Sequence, residues 1–162
     1  MEIPAIIKRE ENVLLKAIHR SLLIKKSFIE DDEFDQGRRN ILNFGHCFGH
    51  ALESVTNFSI SHGQAVILGM ILANRVSIRR GLLSAENGNY IFNNILKPFI
   101  KIDISAIKFD NHDIIRAMEN DKKRIGRDLA LIMMKNDYEM ICVNDLKEAE
   151  AKAVLEGINE IN

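Results

Sequence analysis

The chain has 162 residues, 46% of them hydrophobic and 28% charged. That is the balance of an ordinary globular protein, at a length that suits a single domain, residues 1–162, with a substantial core. Its formal net charge of -1 offers no general attraction for nucleic acid or an anionic membrane, so any anion binding has to be local. The two cysteines, Cys47 and Cys142, lie far apart with no C-x-x-C spacing, which argues against a disulfide framework and for a reducing cytoplasm.

Punctuation along the chain divides it into helices. The opening Met1-Glu2-Ile3-Pro4 lacks the basic start and long apolar run of a signal peptide. From about Glu11 to Ile29 the apolar residues Val13, Leu14, Ala17, Ile18, Leu22 and Ile24 recur at helical spacing, and the acidic run Glu30 to Glu33 closes the segment. After Gly37 a second helix is expected to carry Ile41 to Val55, with Thr56-Asn57-Phe58-Ser59 leading to a third from about His62 to Arg80. That third helix is apolar almost all round, which predicts a central place in the core, and Gly81 stops it. Its longest apolar run, Ala65 to Ala73, is too short to cross a bilayer.

Ser84 is the expected N-cap of a fourth helix ending before Pro98, and Asn111 that of a fifth running through Glu119. Residues 128–134 and 139–143, separated by Lys135-Asn136-Asp137-Tyr138, predict a short hairpin. A last helix is expected from near Asp145, with Glu148 as capping-box partner. The fold class is therefore mainly α, a helical domain with one small β-hairpin. No strand followed by a G-x-G-x-x-G turn occurs, so the chain is not expected to bind NAD by itself.

Three of the five histidines fall within 17 residues: His46 and His50 in Gly45-His46-Cys47-Phe48-Gly49-His50, then His62 in His62-Gly63-Gln64-Ala65-Val66. Four residues apart on a helix, His46 and His50 share a face, close enough to hold one metal ion or one small substrate. Neutral imidazole is both the commonest metal ligand and the usual proton carrier near pH 7. Cys47, between them, projects from a different face of the helix.

The run from Arg39 through Asn43, His46 and His50, followed by His62-Gly63-Gln64-Ala65-Val66 and Gly69-Met70, resembles the signature of the 3-dehydroquinate synthase family of sugar-phosphate cyclases. Those proteins carry R-x-x-x-N-x-x-H-x-x-x-H and then H-G-x-A-V-x-x-G-M. The similarity extends to Ile24-Lys25, Asp32-Glu33 and Asp121-Lys122-Lys123, and so covers about residues 13 to 150.

The resemblance implies the metal- and substrate-binding C-terminal domain of such a cyclase, with NAD bound by an N-terminal half outside this chain. By that resemblance His46 and His62 are ligands of a divalent metal, zinc in the usual case, whose third ligand, a Glu, lies upstream of the matched region. His50 then contacts substrate in a hydrogen-bonding and proton-transfer role. The substrate would be a seven-carbon sugar-acid phosphate of the shikimate pathway or a related route. Arg39, Lys25, Asn43, Asp35 and Lys122 or Lys123 would gather round its carboxylate and phosphate. The implied partners are that substrate, the NAD-binding half and a second copy in a homodimer.

Three departures qualify the match. Asp35 stands where the family has Glu, Cys47 where it has Thr, and Gln64 where it has a Glu that would act on the metal through His62. They leave open a cyclase for a different sugar phosphate, or a non-catalytic remnant that binds metal or an anionic ligand.

Overall fold

The computed structural model describes residues 2–33, 37–107, 109–125 and 131–158, without the side chains of residues 104 and 121–125. The chain forms two compact units, Met1–Leu42 and Asn43–Asn162. Among the described residues no helix is long and apolar enough to cross a membrane.

In the first unit, Pro4 helps start a short helix α1 (Ile3–Ile7), since its fixed φ and missing N–H cost nothing in a first turn. Helix α2 (Glu11–Asp31) spans the predicted segment. It has an apolar stripe but no buried residue; Leu15 is 58% and Leu22 61% exposed. The Asp32 carboxylate then accepts from the backbone N–H groups of Gly37 and Arg39, at 2.8 and 3.1 Å. It thereby caps the start of a 3-10 helix, Arg38–Asn43.

The second unit is built on two helices, α3 (His46–Val55) and α4 (His62–Arg79). The single helix expected over residues 41–55 is broken here: the 3-10 segment ends at Asn43, and α3 begins only after Gly45, at φ +81°. A Cβ on Gly45 would lie 2.6 Å from the Val66 carbonyl oxygen, so glycine is required both for the left-handed turn and for the approach of α4. Gly69 answers it from α4, where a Cβ would meet the Gly45 carbonyl oxygen at 1.9 Å. Two backbones are thus in near contact, which places the start of α3 beside the first turns of α4.

Helix α4 is buried along most of its length, from Ala65 to Ser77, as its all-round apolarity predicts. Phe48 and Leu52 of α3 and Leu68, Leu72 and Val76 of α4 are fully buried in the shared core. After Gly81, Ser84 caps α5 (Ala85–Ile91), its hydroxyl accepting from the Asn87 N–H at 3.1 Å. The chain passes through a π-helical turn (Phe92–Leu96) and a 3-10 turn containing Pro98. Helix α6 (Asn111–Ile125) is capped by Asp110 rather than by the expected Asn111, the Asp110 carboxylate accepting from the His112 N–H at 2.8 Å.

The hairpin is antiparallel, β1 (Leu131–Met134) with β2 (Met140–Val143), paired Leu131 to Val143 and Met134 to Met140. Residues 128–130, expected in its first strand, lie outside the described residues. The last helix, α7 (Glu148–Leu155), starts three residues later than the sequence suggests. Glu150, not Glu148, reaches back to the Lys147 N–H, at 3.1 Å.

Asp145 is drawn away from capping by Arg80 at the end of α4. The Arg80 guanidinium donates to Glu150 through two nitrogens at 2.7 Å each and to Asp145 at 2.7 Å. Hydrogen bonds from Arg80 hold the Glu150 carboxyl down to about 2 from its ordinary 4.5, while Glu150 and then Asp145 raise the guanidinium. A depressed carboxyl stabilises the fold above the unfolded value and loses that stabilisation as pH falls through the folded one. Urea unfolding measured from pH 5 downwards should therefore show stability falling between about 4.5 and about 2. In Glu150→Gln much of that slope should vanish; an unchanged slope would mean the clamp contributes nothing.

Candidate metal and substrate site

The close approach at Gly45 and Gly69 brings three imidazoles together. His46 and His50 project from successive turns of α3, and His62 is the first residue of α4. Their ring centroids are 5.3 Å (His46 to His50), 5.4 Å (His46 to His62) and 5.8 Å (His50 to His62) apart. A point equidistant from the three centroids lies about 3.2 Å from each, leaving a space of metal-ion size between the rings. The cluster is of a size to hold one ion.

His46 is half-buried, while His50 and His62 are exposed. Burial pushes the His46 imidazole below its ordinary range, and the charges of His50 and His62 push the same way; hydrogen bonds from the ring to the Phe44 and Asn43 backbone partly offset this. Neutral imidazole is the form that coordinates a metal, so this donor set fits a divalent ion.

Glu53, which sequence reasoning did not put at the site, belongs to the same cluster. Its Oε2 lies 3.0 Å from His62 Nδ1, and one ligand atom from each of His50, Glu53 and His62 falls within 4.8 Å of the others. The signal was present in the spacing: Glu53 stands seven residues after His46 and three after His50, on their face of α3.

A groove of about 700 Å³ runs beside the cluster, lined by His50, Glu53, Phe58, Asp113, Arg116 and Asn120 among others. Arg116 of α6 is a second residue the spacing did not single out, an exposed cation on a groove that His50 also lines. A larger groove, about 930 Å³, holds His112, Asp113, Glu148 and Lys152. It includes none of the three clustered histidines, whereas His50 lines the smaller one.

The other predicted residues are placed as follows. Lys25 is exposed on α2, and the Arg39 guanidinium donates to the Glu33 carbonyl at 2.8 Å; both belong to the first unit. Asn43 is exposed at the end of the 3-10 helix, three residues before His46. Lys122 and Lys123 lie near the C-terminal end of α6, which packs on α3, but their side chains are outside the described residues. Asp35 also lies outside them. Cys47 is half-buried against the core.

Gln64 serves the fold, not His62. Its amide donates to the Phe99 carbonyl at 2.9 Å and accepts from the Lys101 N–H at 2.7 Å. An ionised Glu has no N–H and could not reproduce that donor and acceptor pair.

Residues 1–124 match a family profile described as "3-dehydroquinate synthase C-terminal". The chain belongs to that family. It is 37% identical over 153 residues to the 3-dehydroquinate synthase of Dehalococcoides mccartyi strain 195, covering 94% of this chain and 42% of the relative. With the enzyme of Prochlorococcus marinus the identity is 34%, covering 92% and 40%. The chain thus spans about two fifths of the curated relatives it matches.

Among solved structures the fold matches 2-epi-5-epi-valiolone synthase from Streptomyces hygroscopicus, which has NAD+ and Zn2+ bound. The TM-score is 0.77 at 18% identity, covering 94% of this chain and 42% of the other. It also matches 2-deoxy-scyllo-inosose synthase complexed with carbaglucose-6-phosphate, NAD+ and Co2+, with a TM-score of 0.61 at 24% identity, covering 78% and 36%. The helical domain with one hairpin is therefore a fold shared with these two synthases.

Proposed function

We propose that this chain, across residues 1–162, is the metal- and substrate-binding half of a dehydroquinate synthase-like cyclase. In that reading it acts in the cytoplasm with an NAD-binding N-terminal half on a seven-carbon sugar-acid phosphate, eliminating phosphate and forming a carbocycle. The observation that carries the reading is the convergence of His46, His50 and His62, with His46 kept neutral by burial. A second observation is compatible with an NAD-binding partner: Leu15, Ile18 and Leu22, on one side of α2, are each more than half exposed.

His46 and His62 would hold the metal, zinc in the first instance, with a carboxylate from the other half completing three protein ligands. When bound, the metal would polarise the oxygens being oxidised and reduced. His50 stands apart in environment, lining the groove that Arg116 also lines. From there its imidazole can donate to a substrate oxygen and take a proton back during elimination and ring closure. Arg39 offers a planar fork for the carboxylate. Asn43 and, by the family resemblance alone, Lys25, Asp35 and Lys122 or Lys123 would supply further polar contacts to substrate.

Two protein ligands instead of three should make zinc binding by this chain weak. Calorimetric titration should find one site, in the micromolar range or weaker, lost in both His46→Ala and His62→Ala and retained in His50→Ala. A nanomolar site, or one that survives both substitutions, would show that these two residues are not the ligand pair.

A further inference from the structure

We propose that Glu53 is the positioning residue of the metal centre, deciding which nitrogen of His62 faces the ion. The inference rests on the reading of His62 as a ligand. Neutral imidazole carries one N–H and one lone pair, and the partner of the first fixes where the second points. Glu53 Oε2 lies 3.0 Å from His62 Nδ1, and an ionised carboxylate can only accept, so Nδ1 carries the proton and Nε2 the lone pair.

The asymmetry of burial agrees. The Glu53 side chain is 12% exposed and that of His62 56%. The carboxylate is the more buried element, in the body of α3, and it orients a half-exposed ring at the start of α4. His46 repeats the pattern with a different acceptor, its Nδ1 lying 3.3 Å from the Phe44 carbonyl oxygen. Both assigned ligands therefore have Nδ1 engaged and Nε2 left as electron-pair donor, as metal-binding histidines usually do.

The competing role for Glu53 is to bind the ion itself with His50 and His62. The spread of up to 4.8 Å among those three donor atoms is wider than the roughly 3.4 Å edge of a tetrahedral shell with 2.1 Å bonds. That arrangement would also leave out His46, the ring that lies nearest to both of the others.

The test uses the 162-residue chain, with Glu53→Gln and Glu53→Ala. The near-isosteric glutamine, whose Oε1 still accepts, guards against loss of fold in the alanine variant, and circular dichroism checks both. Nitrogen-15 NMR of the metal-free proteins at about pH 8, where imidazoles are neutral, should show His62 as the Nδ1–H tautomer in wild type and Glu53→Gln, shifting towards Nε2–H in Glu53→Ala. Zinc affinity by calorimetry should fall about 10- to 100-fold in Glu53→Ala and much less in Glu53→Gln.

An Nε2–H tautomer in the wild type, or unchanged zinc affinity in Glu53→Ala, would overturn the positioning role. Equal losses in the two variants with the tautomer intact would identify Glu53 as a ligand instead. A wild-type chain with the Nδ1–H tautomer and no zinc binding would overturn the metal reading rather than the hydrogen bond.

Discussion

Supplied with NAD, zinc and the seven-carbon precursor of dehydroquinate, this chain alone is expected to release no phosphate, and to do so once an NAD-binding half is added, fused or separate. The oxidation that starts the reaction needs a hydride acceptor held against one substrate carbon. Positioning of that kind is worth effective concentrations on the order of 10⁵ M or more, which dissolved NAD cannot supply. In the reconstituted complex His50→Ala should lower kcat by about 10² to 10⁴, the usual worth of a placed proton carrier. Arg39→Ala should act chiefly on KM, by roughly 10- to 100-fold, because charge-assisted hydrogen bonds to a carboxylate are made in the ground state too. A phosphate-release assay reads all three. Turnover by the isolated chain would defeat the two-half reading, and an inactive complex that still binds zinc would favour a remnant or a different sugar phosphate.

Gly69→Ala is expected to be the most damaging small substitution in the second unit, although it adds one methyl group. The new Cβ would sit 1.9 Å from the Gly45 carbonyl oxygen and 2.8 Å from the Gly49 nitrogen. These are backbone atoms, which no side-chain rotation can move aside. Helices α3 and α4 would have to separate, at a cost of about 3 kcal/mol or more, or a fall in Tm of roughly 6–12 °C for a chain of this size. Because the same contact sets the distance from His46 and His50 to His62, zinc affinity should fall in the molecules that remain folded. Differential scanning fluorimetry and calorimetry on the variant would check both effects. Gly63→Ala is the control, since a Cβ there meets nothing within 4 Å; similar losses in the two would remove the packing explanation.

Much of the local structure was legible because its causes are local. The apolar spacing over residues 11–29 marks α2, and the all-round apolarity after His62 marks the buried α4. Ser84 announces α5 through a hydroxyl that does accept the expected N–H. Where expectation and structure part, a group distant in sequence has intervened. Asp145 looks like the start of the last helix, but Arg80, 65 residues earlier, binds its carboxylate. Residues 41–55 read as one helix, yet the path of α4 past Gly45 forces a left-handed turn between a 3-10 segment and α3. Gln64 looked like a replacement for a carboxylate beside His62, and its amide instead ties α4 to the backbone of residues 99–101.

The amino-acid sequence by itself determined the family, the helical class with its one hairpin, and the three histidines as the centre of interest. These depend on residue identity, spacing and hydrophobic period, all of which are written along the chain. Only the tertiary structure decided that His62 comes within 5.4 Å of His46, that Glu53 is the partner of His62 Nδ1, and that His50 shares a groove with Arg116. The physical reason is the glycine contact between α3 and α4. Side chains on different helices meet at distances set by how closely the backbones approach, and that approach depends on what is missing at positions 45 and 69, a Cβ on each, as much as on what the histidines carry.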